Sequence, residues 1–235
     1  MEGSTAQPEQ QQQQPQEEQQ LTEEQLAYQQ RFDKAVDNLF ALEKAEDWQF
    51  LKENRGVKIS KKVVPGSPAS LMRGEKLMDC SVEELKAILR AVERRKEWDP
   101  LTASCKKVKQ VTDLSAIAYI QFVTSWPVSV RDLCYYASFR TLEDGTLVFA
   151  AFSVEDKACP PVSSNVRADL LASGFIIRPL QDQEGKCHVT YLIQVDLKGW
   201  LPGWITNLVG EEAPLVLDRI QLTIDRDRAG IQVSQ

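Results

Sequence analysis

The chain holds a single histidine, His188, in 235 residues, and that scarcity removes most catalytic arrangements built on an imidazole base. G-x-S-x-G, H-E-x-x-H, G-x-x-x-x-G-K-[ST] and G-x-G-x-x-G are all missing, so hydrolase, zinc-protease and nucleotide-binding readings lose their signatures together. The five cysteines (Cys80, Cys105, Cys134, Cys159, Cys187) are odd in number and show no C-x-x-C spacing, which argues against a disulfide framework and against a metal site. No stretch approaches the roughly 20 apolar residues of a membrane-spanning helix, and Met1 is followed by Glu and Gln instead of a basic start and an apolar core. These absences lead to the expectation of a cytosolic protein with no metal and no cofactor. A carboxylate pair working as acid and base stays open, because spatial neighbours are invisible in sequence. His188, just after a Gly185 turn, is expected at the surface or on an edge strand.

Lys and Arg are also absent from the first 24 residues, which carry six acids and a long run of Gln. Such a segment cannot bury enough apolar surface to offset the entropy of ordering, so residues 1–24 are expected to form a disordered tail ahead of one domain at 25–230. Of the 34 acidic residues, 28 then remain against 28 Lys and Arg, so the domain is electrically balanced. A balanced domain lacks the basic footprint that phosphate neutralisation demands, and nucleic acid is not an expected partner. The local clusters Arg94, Arg95, Lys96 and Lys106, Lys107, Lys109 read as solvated faces beside acidic neighbours.

The hydrophobic content of 43% suffices for one sizeable core. Apolar residues from Leu26 to Leu42 recur near helical spacing and predict a first helix over about 24–46. Val57–Val64 and Leu71–Met78 flank a PGSP turn and read as two strands. Ser81 with Glu84 forms a capping box that opens a helix running to Trp98, stopped by Asp99-Pro100. Residues 103–112, 115–124, 131–141, 146–154, 165–180 and 186–197 read as successive antiparallel strands, and a helix follows from Pro202. Ala116–Val123 and Leu147–Val154 are apolar on both parities, whereas an antiparallel sheet usually wets one face. Both faces must be covered, by helices or by a cavity holding an apolar guest. Arg131-Asp132, a charged pair at the head of an apolar strand, reads as a structural ion pair tying that strand to a neighbouring element.

Five segments in order carry a family resemblance: KEWDPLT (Lys96–Thr102), SWPVSVRDLCYYASF (Ser125–Phe139), SVEDKACPP (Ser153–Pro161), VRADLLASGFIIRPL (Val166–Leu180) and YLIQVDLKGWLPGWITNLV (Tyr191–Val209). Over about residues 26–225 the chain resembles the START (steroidogenic acute regulatory protein-related lipid transfer) domains. The resemblance implies an α+β helix-grip fold: a curved antiparallel sheet wrapped round a long C-terminal helix, enclosing a hydrophobic lipid cavity. It implies non-enzymatic lipid binding and transfer of one sterol or phospholipid by a monomer that is peripheral to membranes and touches their surface transiently. The alternative is a lipid sensor whose lid recruits a protein partner.

The resemblance also implies site residues. The gate loops would be 141–147 and 197–203, with Leu147, Trp200, Leu201, Pro202 and Trp204 as the groups that meet the membrane, Trp200 the exposed one. Large apolar and aromatic groups around Gly199, Pro202 and Gly203 suit an interfacial hinge. The implied cavity face takes Ala118 and Ile120, then Tyr135, Ala137 and Phe139, then Leu171, Ser173 and Phe175. Members with a buried acid and arginine would place them at Ala118 and Ala137, and a ceramide-type amide contact would fall near Leu171. The Tyr135 and Ser173 hydroxyls are then the expected hydrogen-bonding partners of a largely apolar guest.

Overall fold

A computed structural model describes residues 21–67, 69–124, 128–199, 201, 210 and 212–230. The first helix, α1 (Glu23–Glu43), starts on a capping box in which Thr22 and Gln25 satisfy each other's backbone N–H groups. It begins two residues ahead of the expected domain boundary. The hairpin β1 (Gln49–Asn54) and β2 (Val57–Lys62) follows, then β3 (Leu71–Met78). β1 escaped the sequence reading because it is an edge strand with mostly exposed residues and no apolar alternation.

The second helix, α2 (Val82–Arg90), opens on the expected Ser81/Glu84 capping box but ends at Arg90. A 3₁₀ segment (Val92–Glu97) replaces its predicted continuation. No Pro or Gly interrupts this run, so the break comes from tertiary packing: the tighter turn brings Arg95 and Trp98 inward.

β4 (Thr102–Thr112), β5 (Ser115–Phe122), β6 (Arg131–Thr141), β7 (Leu147–Ser153), β9 (Asp169–Pro179) and β10 (Cys187–Asp196) form the expected antiparallel series. The predicted strand 165–180 is divided, its first two residues forming β8 (Val166–Arg167), which pairs in parallel with the head of β6. In the curved sheet the order is β1-β2-β3-β10-β9-β7-β6-β5-β4. His188 pairs with Leu77 and Arg178 on β10, a central strand, so the expectation of a surface or edge position fails for its backbone while its side chain stays half-buried.

Both faces of the sheet are covered, as the two-parity apolar runs require. On the outer face Tyr28, Phe32, Val36 and Leu39 of α1 pack over Ile117, Tyr136, Val148, Phe152 and Ile176. Tyr28 stacks on Tyr136 at 4.8 Å between ring centroids. Gly174 of β9 permits this approach, since a Cβ there would lie 2.4 Å from a Leu39 methyl and 2.3 Å from the Phe149 carbonyl oxygen. Arg178 grips Glu43 at the end of α1 through two bonds of 2.6 and 2.7 Å.

The inner face is covered by α2, the 3₁₀ segment and the C-terminal helix α3 (Val216–Arg228), itself preceded by a short 3₁₀ turn, Ala213–Leu215. Val216, Leu217, Ile220 and Ile224 form the buried stripe of α3. Charged groups secure it to α2 and the 3₁₀ segment: Arg228 forks onto Glu84 at 2.8 Å, and Arg226 meets Glu97 at 2.5 Å. The cysteines are free thiols; Cys80 and Cys187 are buried with sulfurs 3.9 Å apart.

Candidate functional site

Between the inner face of the sheet and α3 lies a cavity of about 300 Å³. Its walls come from β5 (Ile120, Phe122), β6 (Leu133, Tyr135), β7 (Phe149, Ala151) and β10 (Tyr191, Ile193), and are mostly apolar. Phe139, Phe149, Phe175 and Tyr191 run as a row of aromatic contacts with successive centroids 4.9, 5.9 and 4.2 Å apart.

The polar part of the cavity comes from the 3₁₀ segment. Arg95 Nε and Nη2 donate to Asp99 Oδ2 at 2.9 and 2.8 Å. Thr102 Oγ1 donates to the same oxygen at 3.0 Å, and the Leu101 N–H donates to Asp99 Oδ1 at 3.1 Å. Burial disfavours the charged guanidinium, but the adjacent Asp99 carboxylate outweighs it and holds Arg95 protonated. Burial likewise pushes the Tyr135 and Tyr191 phenols up from their usual range, with the positive charge of Arg95 opposing the shift. The result is a charge-balanced polar nest, with two neutral hydroxyls and a forked donor, set in an apolar chamber.

Arg95 was expected on a solvated face; it keeps only 19% of its side-chain surface accessible, and it lines the cavity. The sequence carried a signal for this. Arg95 and Asp99 are four residues apart and continue the face of Leu85, Ile88, Leu89 and Val92, so the charged pair sits on the apolar side of the run.

The implied cavity residues divide into three groups. Ile120, Tyr135, Ser173 and Phe175 line the cavity. Ala118, Ala137 and Phe139 line a smaller adjoining chamber together with Tyr135 and Phe175. Leu171 does neither, being 40% exposed. A β-bulge explains the miss: β10 advances from Ile193 to Val195 while β9 runs from Ser173 to Leu170, three residues against two. Leu170 therefore takes the inward place that strict alternation gave to Leu171. The Ser173 hydroxyl also accepts from the Gln194 N–H at 3.3 Å.

Arg131 and Asp132 do not serve as one ion pair, because consecutive strand residues leave on opposite faces. Asp132 is fully buried and takes Arg167 Nε at 2.6 Å, the Tyr119 hydroxyl at 2.9 Å and Asn165 Nδ2 at 3.1 Å. Burial and the Asp132 hydrogen bond raise Tyr119 to about 12. Arg131 lines the cavity and donates to the carbonyls of Ser129 (2.7 Å), Leu197 (3.4 Å) and Lys198 (3.2 Å). Burial lowers its pKa.

That clamp fixes a strained turn. Lys198 and Gly199 have φ of 47° and 67°, both in the left-handed region, which is costly for a lysine. Lys198 N–H donates to Asp196 Oδ1 at 2.9 Å, an Asx-type bond that helps hold it there. Leu197 and Leu201 line the cavity with Val123, Thr124 and Val128. Trp200, Pro202 and Trp204 lie outside the described residues.

None of residues 141–147 lines the cavity. β6 starts at Arg131, which does line it, and ends at Thr141, so the β6–β7 turn sits at the opposite end of that strand. Leu147 is 0% exposed and pairs with Thr141 and Ile177, so its side chain is packed in the core and not at the surface. The β5–β6 connection reaches the cavity through Val123, Thr124 and Val128.

The family model of the START domain matches residues 31–224. This chain belongs to the START domain family. Among curated relatives, the protein called ENHANCED DISEASE RESISTANCE 2-like from Arabidopsis thaliana is 30% identical over 194 residues, 77% of this chain but 27% of the plant protein. The mouse StAR-related lipid transfer protein 5 is 30% identical over 166 residues, covering 67% of this chain and 76% of that one. The solved structure of the human StAR-related lipid transfer protein 5 superposes with a TM-score of 0.78 at 21% identity, covering 87% and 99% of the two chains. That likeness establishes the helix-grip fold of this START domain. Among the described residues no helix is long and apolar enough to cross a membrane, and no cluster of His, Cys, Asp and Glu is arranged to hold a metal ion.

Proposed function

We propose that this START domain is a non-enzymatic carrier that takes one lipid into the inner cavity and transfers it between membranes, working as a monomer that touches the bilayer transiently from the cytoplasm. The cavity itself carries the reading: an apolar chamber of about 300 Å³ whose polar groups are gathered at one place, Arg95–Asp99 with Tyr135 and Tyr191. Ligand sites span about 300–1,000 Å³, and this one falls at the small end. The guanidinium is already neutralised by Asp99, so the nest offers hydrogen bonds without a net charge. Size and neutrality together favour a sterol-sized guest with one small oxygen function over a two-chain phospholipid.

The mouth lies between the β5–β6 connection and the segment 197–203. In this reading Lys198–Gly199, with its left-handed backbone, is the hinge and Arg131, bonded to the Lys198 carbonyl, is the latch; Trp200, Leu201, Pro202 and Trp204 are assigned to meet the bilayer from their apolar and aromatic character. Apolar and aromatic side chains at such a rim partition into a membrane interface. The sensor reading predicts tight binding without delivery. A vesicle-to-vesicle transfer assay separates the two: the carrier moves lipid, and Trp200→Ala slows transfer more than it weakens equilibrium binding. Binding without any movement of lipid would replace the carrier with the sensor.

A further inference from the structure

A second chamber of about 50 Å³ adjoins the main cavity at the polar nest. Arg95, Tyr135, Phe149 and Phe175 stand in the walls of both, so these four residues form a waist where the two spaces adjoin. Beyond the waist the sheet side is built from small groups, with Ala116 facing Ala137 across β5 and β6 and Ala118 facing Tyr135, while the exposed Arg90, Lys107, Gln110 and Asp113 form the outer rim of the chamber. At about 50 Å³ against about 300 Å³ for the main cavity, the second chamber takes a small group and excludes the body of a lipid.

Trp98 stands in the wall of this same chamber. It is 4% exposed, and its Nε1–H finds no acceptor among the described residues. Buried donors are rarely left without a partner, because the lost hydration is not returned. A donor without an acceptor beside a chamber of one functional group's size is the complement of an oxygen.

Building on the carrier reading, we infer that the second chamber is the seat of the guest's oxygen-bearing end: a hydroxyl or carbonyl oxygen passes the Arg95–Tyr135 waist and accepts from Trp98 Nε1–H. The guest then lies with its oxygen in the second chamber and its apolar body in the main cavity. Ala118 and Ala137 set the depth it reaches, and a lipid whose oxygen is flanked by bulky substituents is rejected at the waist.

The test uses phosphatidylcholine vesicles containing cholesterol as donor and the full chain labelled with ¹⁵N in its indoles, the Trp98 resonance being assigned by its loss in Trp98→Phe. Loading is expected to move the Trp98 indole proton downfield. Trp98→Phe, which keeps a ring against Arg95, is expected to weaken binding roughly three- to tenfold, the worth of one such bond. Ala118→Leu, which fills the chamber, is expected to weaken it at least tenfold, with the gentler Ala137→Val between the two. Unchanged thermal midpoints in the unloaded variants separate these losses from misfolding. Uptake by the wild type with an unmoved Trp98 resonance and unchanged affinity in Trp98→Phe and Ala137→Val overturns this inference alone. A wild type that takes neither lipid from the vesicles overturns the carrier reading, and this inference with it.

Discussion

Asp99→Asn puts the polar nest under the sharpest strain. Asp99 is 4% exposed, binds Arg95 through both Nε and Nη2, and accepts from Thr102 and Leu101. The amide keeps the shape of the carboxylate and removes the only charge that balances the guanidinium in the nest. Breaking a buried pair by removing one partner costs about 3–5 kcal/mol, because the other charge remains buried and uncompensated. For a domain of this size each kcal/mol shifts the thermal midpoint by about 2–4 °C, so a loss of roughly 6–20 °C is expected. Urea unfolding followed by tryptophan fluorescence measures the free energy, and the transition slope shows whether the unfolded reference has changed. The uncovered guanidinium should also turn the cavity into an anion site. A long-chain fatty acid at 100 times its dissociation constant would then restore about 2.7 kcal/mol to Asp99→Asn and leave the wild type unmoved. Stability within about 1 kcal/mol of wild type, with no rescue by the fatty acid, would refute the account of the nest.

Other perturbations probe the remaining parts. Leu171→Ser should change stability by no more than about 0.5 kcal/mol and leave lipid binding intact, whereas Leu170→Ser should weaken both; equal effects would remove the bulge from the explanation. Arg131→Ala leaves the Leu197 and Lys198 carbonyls without their clamp, so bound lipid should dissociate faster, with about 1–3 kcal/mol of stability lost; an unchanged dissociation rate in stopped-flow release would show that Arg131 does not latch the mouth. The Arg228 hydrogen bond holds the Glu84 carboxyl down at about 2, below its ordinary value of 4.5. The contribution is therefore present above pH 4.5 and fades as the pH falls towards 2, and since Glu84 is more than a third exposed, screening keeps it below about 1 kcal/mol. Acid titration of wild type against Glu84→Gln should show the two stability curves converging over that window; parallel curves would discard the linkage.

Much of the fold was legible because its strongest signals are local. The Ser81/Glu84 capping box and the apolar runs of β6, β7 and β10 depend on neighbours along the chain, and the structure keeps them. The two-parity apolar runs also reported truthfully that both faces are covered, by α1 outside and by α2, α3 and the cavity inside. What escaped the sequence depends on distant partners. A bulge shifted the inward position from Leu171 to Leu170, and alternation alone carries no trace of it. Arg95 looked like one of a solvated basic triplet, and only its four-residue spacing from Asp99 on the apolar face hinted at burial. The cavity wall was half legible: the apolar segment after Asp196 reaches the cavity through Leu197 and Leu201, but which connection joins it there is a matter of strand direction across the sheet. Direction brings Val123 and Val128 to the cavity and leaves Leu147 at the other end of its neighbouring strand.

Native mass spectrometry of the protein as purified from a lipid-containing cell extract tests the central claim most directly. The account predicts one lipid per chain, a compact guest with a single oxygen function that leaves intact on denaturation and is lost in Ala118→Leu. A chain that carries no lipid, or one that turns its guest over into a product of different mass, would contradict it.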